Sequence, residues 1–182
     1  MRELSLHIID IAENSFNASA DLINIEVNED LITNLLSIVI CDNGSGIDEE
    51  SIKNITDPFV TSRTERRVGM GLSLLKEACE RCSGTFKIQS SNEGTKVTAT
   101  FLHDHIDRAP LGDMTKTIQS ILMGRSEIDL EYKHIFNKKD FIFNTKDIKE
   151  ILGINSLSDP IVLVKLSEIV DEAVEKLKKG ID

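Results

Sequence analysis

Three polar side chains, Asp10, Asn14 and Asn17, recur at i, i+4 and i+7, a spacing that sets them on one face of a helix. The amide oxygen of Asn14 is neutral and hard, suited to complete the oxygen shell of a Mg²⁺ already charged by phosphates. A carboxylate one turn earlier, Asp10, can orient a water as general base. Alone, this pair reads better as a solvated helix face. A second group, Asp42-Asn-Gly-Ser-Gly-Ile47, ends the apolar run Leu35–Cys41. A carboxylate held there can accept from an exocyclic amine, which separates adenine from guanine, and Gly44 and Gly46 let the backbone approach a flat ring. On its own it is a turn. Third, Gly69-Met70-Gly71 precedes a helical pattern, so free backbone N–H groups can receive a phosphate at the positive end of the helix dipole. Arg63, Arg66 and Arg67 lie just upstream and concentrate positive charge as a phosphate clamp requires. Fourth, Gly94-Thr95 opens a strand-like run, and the Thr95 hydroxyl can join the hydrogen bonds around the base.

The elements that must position these groups follow from periodicity. Leu4, Ile8, Ile11 and Ser15 predict a helix over roughly 2–19, and Ile23, Ile25 and Val27 a strand ending in a polar turn at Asn28–Asp30. The β-branched run 35–41 predicts a buried strand, and Asp48-Glu-Glu the start of a short helix to about Ile55. An amphipathic helix follows Gly69-Met-Gly-Leu72, with Leu74, Leu75, Ala78, Cys79 and Cys82 as its inner face. Two strands, 85–90 and 95–102, close this part. The composition changes at His103–Pro110, which divides the chain into 1–103 and a small α+β extension over 104–182. That extension reads as a helix (about 111–123), a hairpin (130–136 and 141–144), a short helix (146–152), and a terminal helix opened by Ser158-Asp-Pro160. Ile161, Val164, Ile169, Ala173, Val174 and Leu177 form its apolar face. Phe136, Phe141, Phe143 and Tyr132 read as a small core.

The 182 residues can bury a sizeable core, and 40% hydrophobic with 29% charged content is that of a globular chain. The net charge is −10, of which −7 falls in 1–103 and −3 in 104–182. That balance disfavours nucleic acid, because phosphate binding needs a basic excess. There is no Trp and one Tyr, so base stacking has few platforms. No apolar run reaches membrane-spanning length and no secretory pattern opens the chain, so the expectation is a cytoplasmic protein without membrane contact. Three cysteines make no disulfide framework, and Cys79 with Cys82 reads as a pair of buried thiols. His103 and His105 flank Asp104 as linker histidines, and two ligands do not close a metal site. His7 reads as a packing or surface residue.

In order, ENSFNASA (13–20), DNGSGI (42–47), DPFVTSR (57–63), GMGLSLLKEAC (69–79) and GTKVTATF (94–101) resemble the boxes of the GHKL ATP-binding family. That group comprises DNA gyrase, the heat-shock chaperone ATPases, histidine kinases and MutL-type mismatch-repair proteins. DPFVTSR and GMGLSLL look most like the histidine-kinase branch, and ENSFNASA more like the MutL and gyrase branch. The resemblance implies a Bergerat-type α/β two-layer sandwich, with a mixed, mostly antiparallel sheet covered on one face by helices. It implies ATP and Mg²⁺ as cofactors, Asn14 as the metal ligand and Asp42 as the acceptor from the adenine amino group with Gly46 beside the base. Gly69 and Gly71 would serve the lid and the phosphate-binding helix, with Arg63 near the phosphates and Thr95 in the last box. The matched boxes add Asn17, Gly44, Ile47, Thr61, Met70 and Leu72 to the expected contacts.

Two departures stand out. Hydrolytic branches usually place Glu four residues before the metal Asn, and here that position is Asp10, one methylene shorter. Glu13, about 100° round the helix from Asn14, is the second choice of base. Thirteen residues precede Asn14, too few for the helical hairpin that carries a phospho-accepting histidine, so a complete self-phosphorylating sensor kinase is not expected. The expected function is an ATPase or a kinase subunit in signalling. The rivals are an ATP-sensing module that docks a partner without turnover, and an anti-sigma-type serine kinase acting in trans. A protein partner or a second copy is expected at 104–182.

Overall fold

The computed structural model describes residues 2–56 and 70–180. Helix α1 (Leu4–Asn17) buries Leu4, Ile8, Ile11, Ala12 and Ser15. Strands β1 (Leu22–Asp30) and β2 (Leu35–Asp42), helices α2 (Glu49–Thr56) and α3 (Met70–Arg81), and strands β3 (Phe86–Ser91) and β4 (Gly94–Leu102) follow. The later part contributes α4 (Met114–Gly124), β5 (Asp129–Phe136), β6 (Lys139–Asn144), α5 (Thr145–Leu152) and α6 (Pro160–Lys179). Three of these helices start on a side-chain cap. Asp113, Asn144 and Asp159 each accept a backbone N–H at the N-terminus, and Pro160 sits in the first turn of α6.

One sheet runs through both parts of the chain, in the order β3-β4-β2-β1-β5-β6. Only β1 and β5 are parallel; the other four pairings are antiparallel. Registered neighbours share a face, and Ile25 pairs with both Ile40 and Tyr132 while Ile40 pairs with Val97. All of these are buried. Their alternate neighbours, such as Asn24, Glu26, Ser37 and Thr98, are only half-buried. A single apolar face therefore meets the helices, with α1 against α3 and α4, and α4 against α6. This is the mixed sandwich the boxes implied.

The segment after β4 is tied to the first helix. The N–H groups of Leu4 and Ser5, which α1 cannot satisfy itself, donate to the carbonyls of Pro110 (3.0 Å) and Leu111 (2.8 Å).

Three expectations are corrected. Asn28–Asp30 is not a turn but the last part of β1, and the turn lies at 31–34. Glu29 stays in the strand because its inward carboxylate is fully met: His134 Nε2 lies at 2.9 Å, Lys178 Nζ at 2.7 Å and His103 Nε2 at 3.3 Å. On α6 the buried residues are Leu163, Val170 and Leu177, with Leu166 and Val174 partly covered, whereas Ile161, Val164 and Ile169 face outward. The inner set keeps a continuous three-and-four spacing over the whole helix. On α3, Leu74 is exposed and Leu72 takes the inner position beside Leu75, Cys79 and Cys82.

The Glu29 cluster has a measurable consequence. Burial alone pushes this carboxyl up, but hydrogen bonds and charge from His134 and Lys178 outweigh it and hold the group at about 2, against an ordinary 4.5. The unfolded chain binds the proton first, so the cluster's contribution is complete above pH 4.5 and is lost as pH falls toward 2. That difference corresponds to on the order of 3 kcal/mol. Acid titration of unfolding should show this slope in the wild type and not in Glu29→Gln.

Candidate functional site

Alternation along β2 places Asp42 on the same face as Ile38 and Ile40, so its carboxylate turns toward the helices at the end of the sheet. Three donors hold it. Ser15 Oγ on α1 donates to Oδ2 at 2.7 Å, and the N–H groups of Gly44 (2.9 Å) and Thr95 (3.3 Å) donate to Oδ1. Asp42, Ser90, Gly94 and Thr95 line an open cavity of about 290 Å³. Thr95 Oγ1 lies 2.9 Å from Ser90 Oγ, which also accepts from Ile47 N–H at 2.8 Å and donates to the Gly94 carbonyl at 3.1 Å. Ser15 and Ser90 are thus the two hydroxyls that fix the Asp42 end of the site. Gly46 has φ +78°, and a Cβ there would lie 1.9 Å from the Ser91 carbonyl oxygen, so the turn closes against β3 only with glycine.

The other end is built by α1 and the start of α3. Asp10 and Asn14 are half-buried, and Asn17 and Glu13 are exposed. Asp10 lies directly against Gly71: a Cβ at Gly71 would sit 3.0 Å from Asp10 Cβ and 3.1 Å from Oδ2. Sixty-one positions apart in sequence, the proposed base and the glycine at the helix start are therefore neighbours in space. Partial burial raises the Asp10 carboxyl above its ordinary value, in the direction that makes a better proton acceptor. One helical turn away, His7 is buried, with a ring hydrogen bond to the Gly71 backbone and its Nδ1 unpartnered. Burial lowers its pKa, with positive charge nearby adding to the effect, so the ring is neutral at pH 7.

Among the remaining expected contacts, Gly44 is buried against Ala18, Ile47 packs on the core edge, and Leu72 is a core residue at 2% exposure. Met70 is the first residue of α3. Thr61, Arg63 and Gly69, with Arg66 and Arg67, lie outside the described residues. Among the described residues no group of three or more His, Cys, Asp or Glu forms a metal cage. The donor set suits a metal whose charge is met largely by a ligand's own oxygens, with one neutral amide from the protein.

The sequence profile of the histidine kinase-, DNA gyrase B- and HSP90-like ATPases matches residues 1–105. The chain belongs to this family. Two relatives are similar over this stretch: a putative sensor protein of Shewanella frigidimarina is 33% identical over 103 residues, 55% of this chain and 16% of that protein. The tetrathionate sensor histidine kinase TtrS of Salmonella typhimurium is 35% identical over 89 residues, 46% of this chain and 14% of that protein. The chain thus aligns with about one sixth of the length of these relatives. The crystal structure of the N-terminal domain of a DNA repair protein has the same fold, with a TM-score of 0.51 at 19% identity, covering 78% of this chain and 52% of that one. Residues 1–105 are a histidine-kinase-like ATP-binding domain of this family. No helix among the described residues is long and apolar enough to cross a membrane.

Proposed function

We propose that this family member binds Mg·ATP between α1, the Asp42–Ile47 turn and the start of α3, and uses it as an ATPase or as a kinase subunit in a signalling system. The observation that carries the reading is the Asp42 carboxylate, ringed by donors and turned inward at the sheet end, with Asn14 and Ser15 adjacent on one helix. Asp42 accepts from the adenine amino group, and Thr95 and Gly46 complete the base contact. Asn14 holds Mg²⁺, with Asn17 further along the same face. Gly69, Met70 and Gly71 serve the triphosphate with Arg63 and Thr61. Asp10 takes the proton of the attacking water or hydroxyl. The bound metal supplies charge stabilisation at the transferring phosphoryl group. The protein is proposed to be cytoplasmic and to meet a protein partner or a second copy through 104–182, without nucleic acid or membrane.

Asp10→Asn tests the catalytic part. Mg·ATP affinity should stay within about twofold, because Asp10 holds neither base nor metal, while phosphate release should fall on the order of 10²–10⁴-fold. Unchanged turnover removes Asp10 from the mechanism. The shorter reach of Asp10 favours a second reading, a nucleotide-sensing module. Wild-type protein that binds Mg·ATP and neither releases phosphate nor labels a partner establishes that reading instead.

A further inference from the structure

One side chain at the base end makes its hydrogen bonds to Asp21 and Leu22 and none to Asp42, and so holds together two segments on which the site depends. Asn43 follows Asp42 and points away from it. Its Oδ1 accepts from the N–H groups of Asp21 and Leu22, both at 3.0 Å, and its Nδ2 donates to the Asp21 carboxylate. Its own N–H reaches the Leu22 carbonyl at 3.4 Å. Two residues on, Ser45 N–H donates to the Ala18 carbonyl at 2.9 Å, and the absent side chain of Gly44 lets the turn rest on Ala18. Ala18–Asp21 connects α1, which bears Asn14, to β1.

We infer that Asn43 is a positioning residue that sets the separation between the base-reading carboxylate of Asp42 and the metal-holding amide of Asn14. The inference rests on the proposed Mg·ATP site. Asp42 keeps its three donors without Asn43, so the base end is locally complete. Ser15 and the Ser45–Ala18 bond already join that end to α1; what Asn43 adds is its tie to Asp21 and Leu22, which fixes the far side of the α1–β1 connection and with it the registry of α1 against the turn. A ligand touching only the base end does not sense this registry, whereas a ligand spanning both ends does. The later part of the chain enters the same clamp: the Asp21 carbonyl accepts from Asp129 N–H at 2.8 Å where β5 begins, and Asp129 Oδ1 receives Lys149 Nζ of α5 at 3.0 Å. The site is therefore hydrogen-bonded, residue to residue, to an element outside the family-matched stretch.

The test compares a short ligand with a long one on the full chain. Asn43→Ala should lower Mg·ATP affinity about tenfold and adenosine affinity less than about twofold, as measured by calorimetry and by NMR titration. Asn43→Asp should behave alike, because it keeps the acceptor but sets a second carboxylate against Asp21. The exchange Asp21→Asn with Asn43→Asp reverses donor and acceptor, and should restore Mg·ATP affinity to within about threefold of wild type. Unchanged Mg·ATP affinity in Asn43→Ala overturns the inference. So does an equal loss for both ligands, which marks general loosening, and so does an exchange that restores nothing. Should the wild type take up neither ligand, the proposed site itself is wrong and the positioning role falls with it; ordinary wild-type binding with unaffected variants removes only the latter.

Discussion

Asp42→Asn is expected to fold normally and to lose Mg·ATP affinity by at least about 100-fold. The amide can be housed: Gly44 and Thr95 still donate to Oδ1, and the Ser15 hydroxyl can turn fully to the Ile11 carbonyl, 3.1 Å away, to accept from the new N–H. The base is not so accommodated. One of two acceptor oxygens becomes a donor that faces the donor of the purine, and the charge that strengthens the contact is gone. Calorimetry with magnesium reads the loss, and a melting temperature close to that of the wild type shows that the loss is local. Retained affinity in this variant would refute adenine recognition by Asp42.

Gly94→Ala should cost at least about 3 kcal/mol of stability, or a fall in melting temperature of roughly 6–12 °C for a chain of this size. Two effects add. Gly94 has φ +135°, a region that residues with a side chain rarely enter, and the added Cβ would lie 2.0 Å from the Asp42 carbonyl oxygen and 3.0 Å from Asn43 Cα. Both are backbone atoms and cannot swing aside, so β4 must move away from β2 at the point where Thr95 supports the Asp42 carboxylate. Gly153→Ala is the control. It has φ +65° with nothing within 4 Å of the new Cβ, so it should cost only about 1–2 kcal/mol. Equal losses in the two variants would assign the effect to the dihedral angle and not to crowding.

Much of this architecture could be read from side-chain pattern. The run Leu35–Cys41 ends on Asp42 with the parity that turns the carboxylate inward, and strict alternation is what makes that orientation readable. Asp159 and Pro160 likewise mark the start of α6 without tertiary help. The failures share a cause. Glu29 looks like a turn residue because its partners, His134 and Lys178, lie more than a hundred positions away. Ser15 fits the apolar stripe of α1 by spacing, and only the arrival of Asp42 at 2.7 Å reveals it as a donor. Ser90 sits in an ordinary amphipathic strand until Ile47, Gly94 and Thr95 converge on it. The face of α6 depends on which stripe the sheet and α4 leave uncovered, and two stripes of similar apolarity compete in the sequence.

The parallel pairing of β1 with β5 bears on how the polypeptide emerges from the ribosome. Eight registered pairs, Leu22–Asp129 to Glu29–Phe136, protect the flank of β1 that β2 does not cover. More than ninety residues separate the two strands, so a nascent chain that has completed the family-matched stretch still presents β1 as a naked border rich in Ile and Val. Such borders recruit other chains, and pairings distant in sequence form late. A chain stopped at residue 105 would keep every group proposed to read the purine, and would be prone to precipitate or to associate through that border.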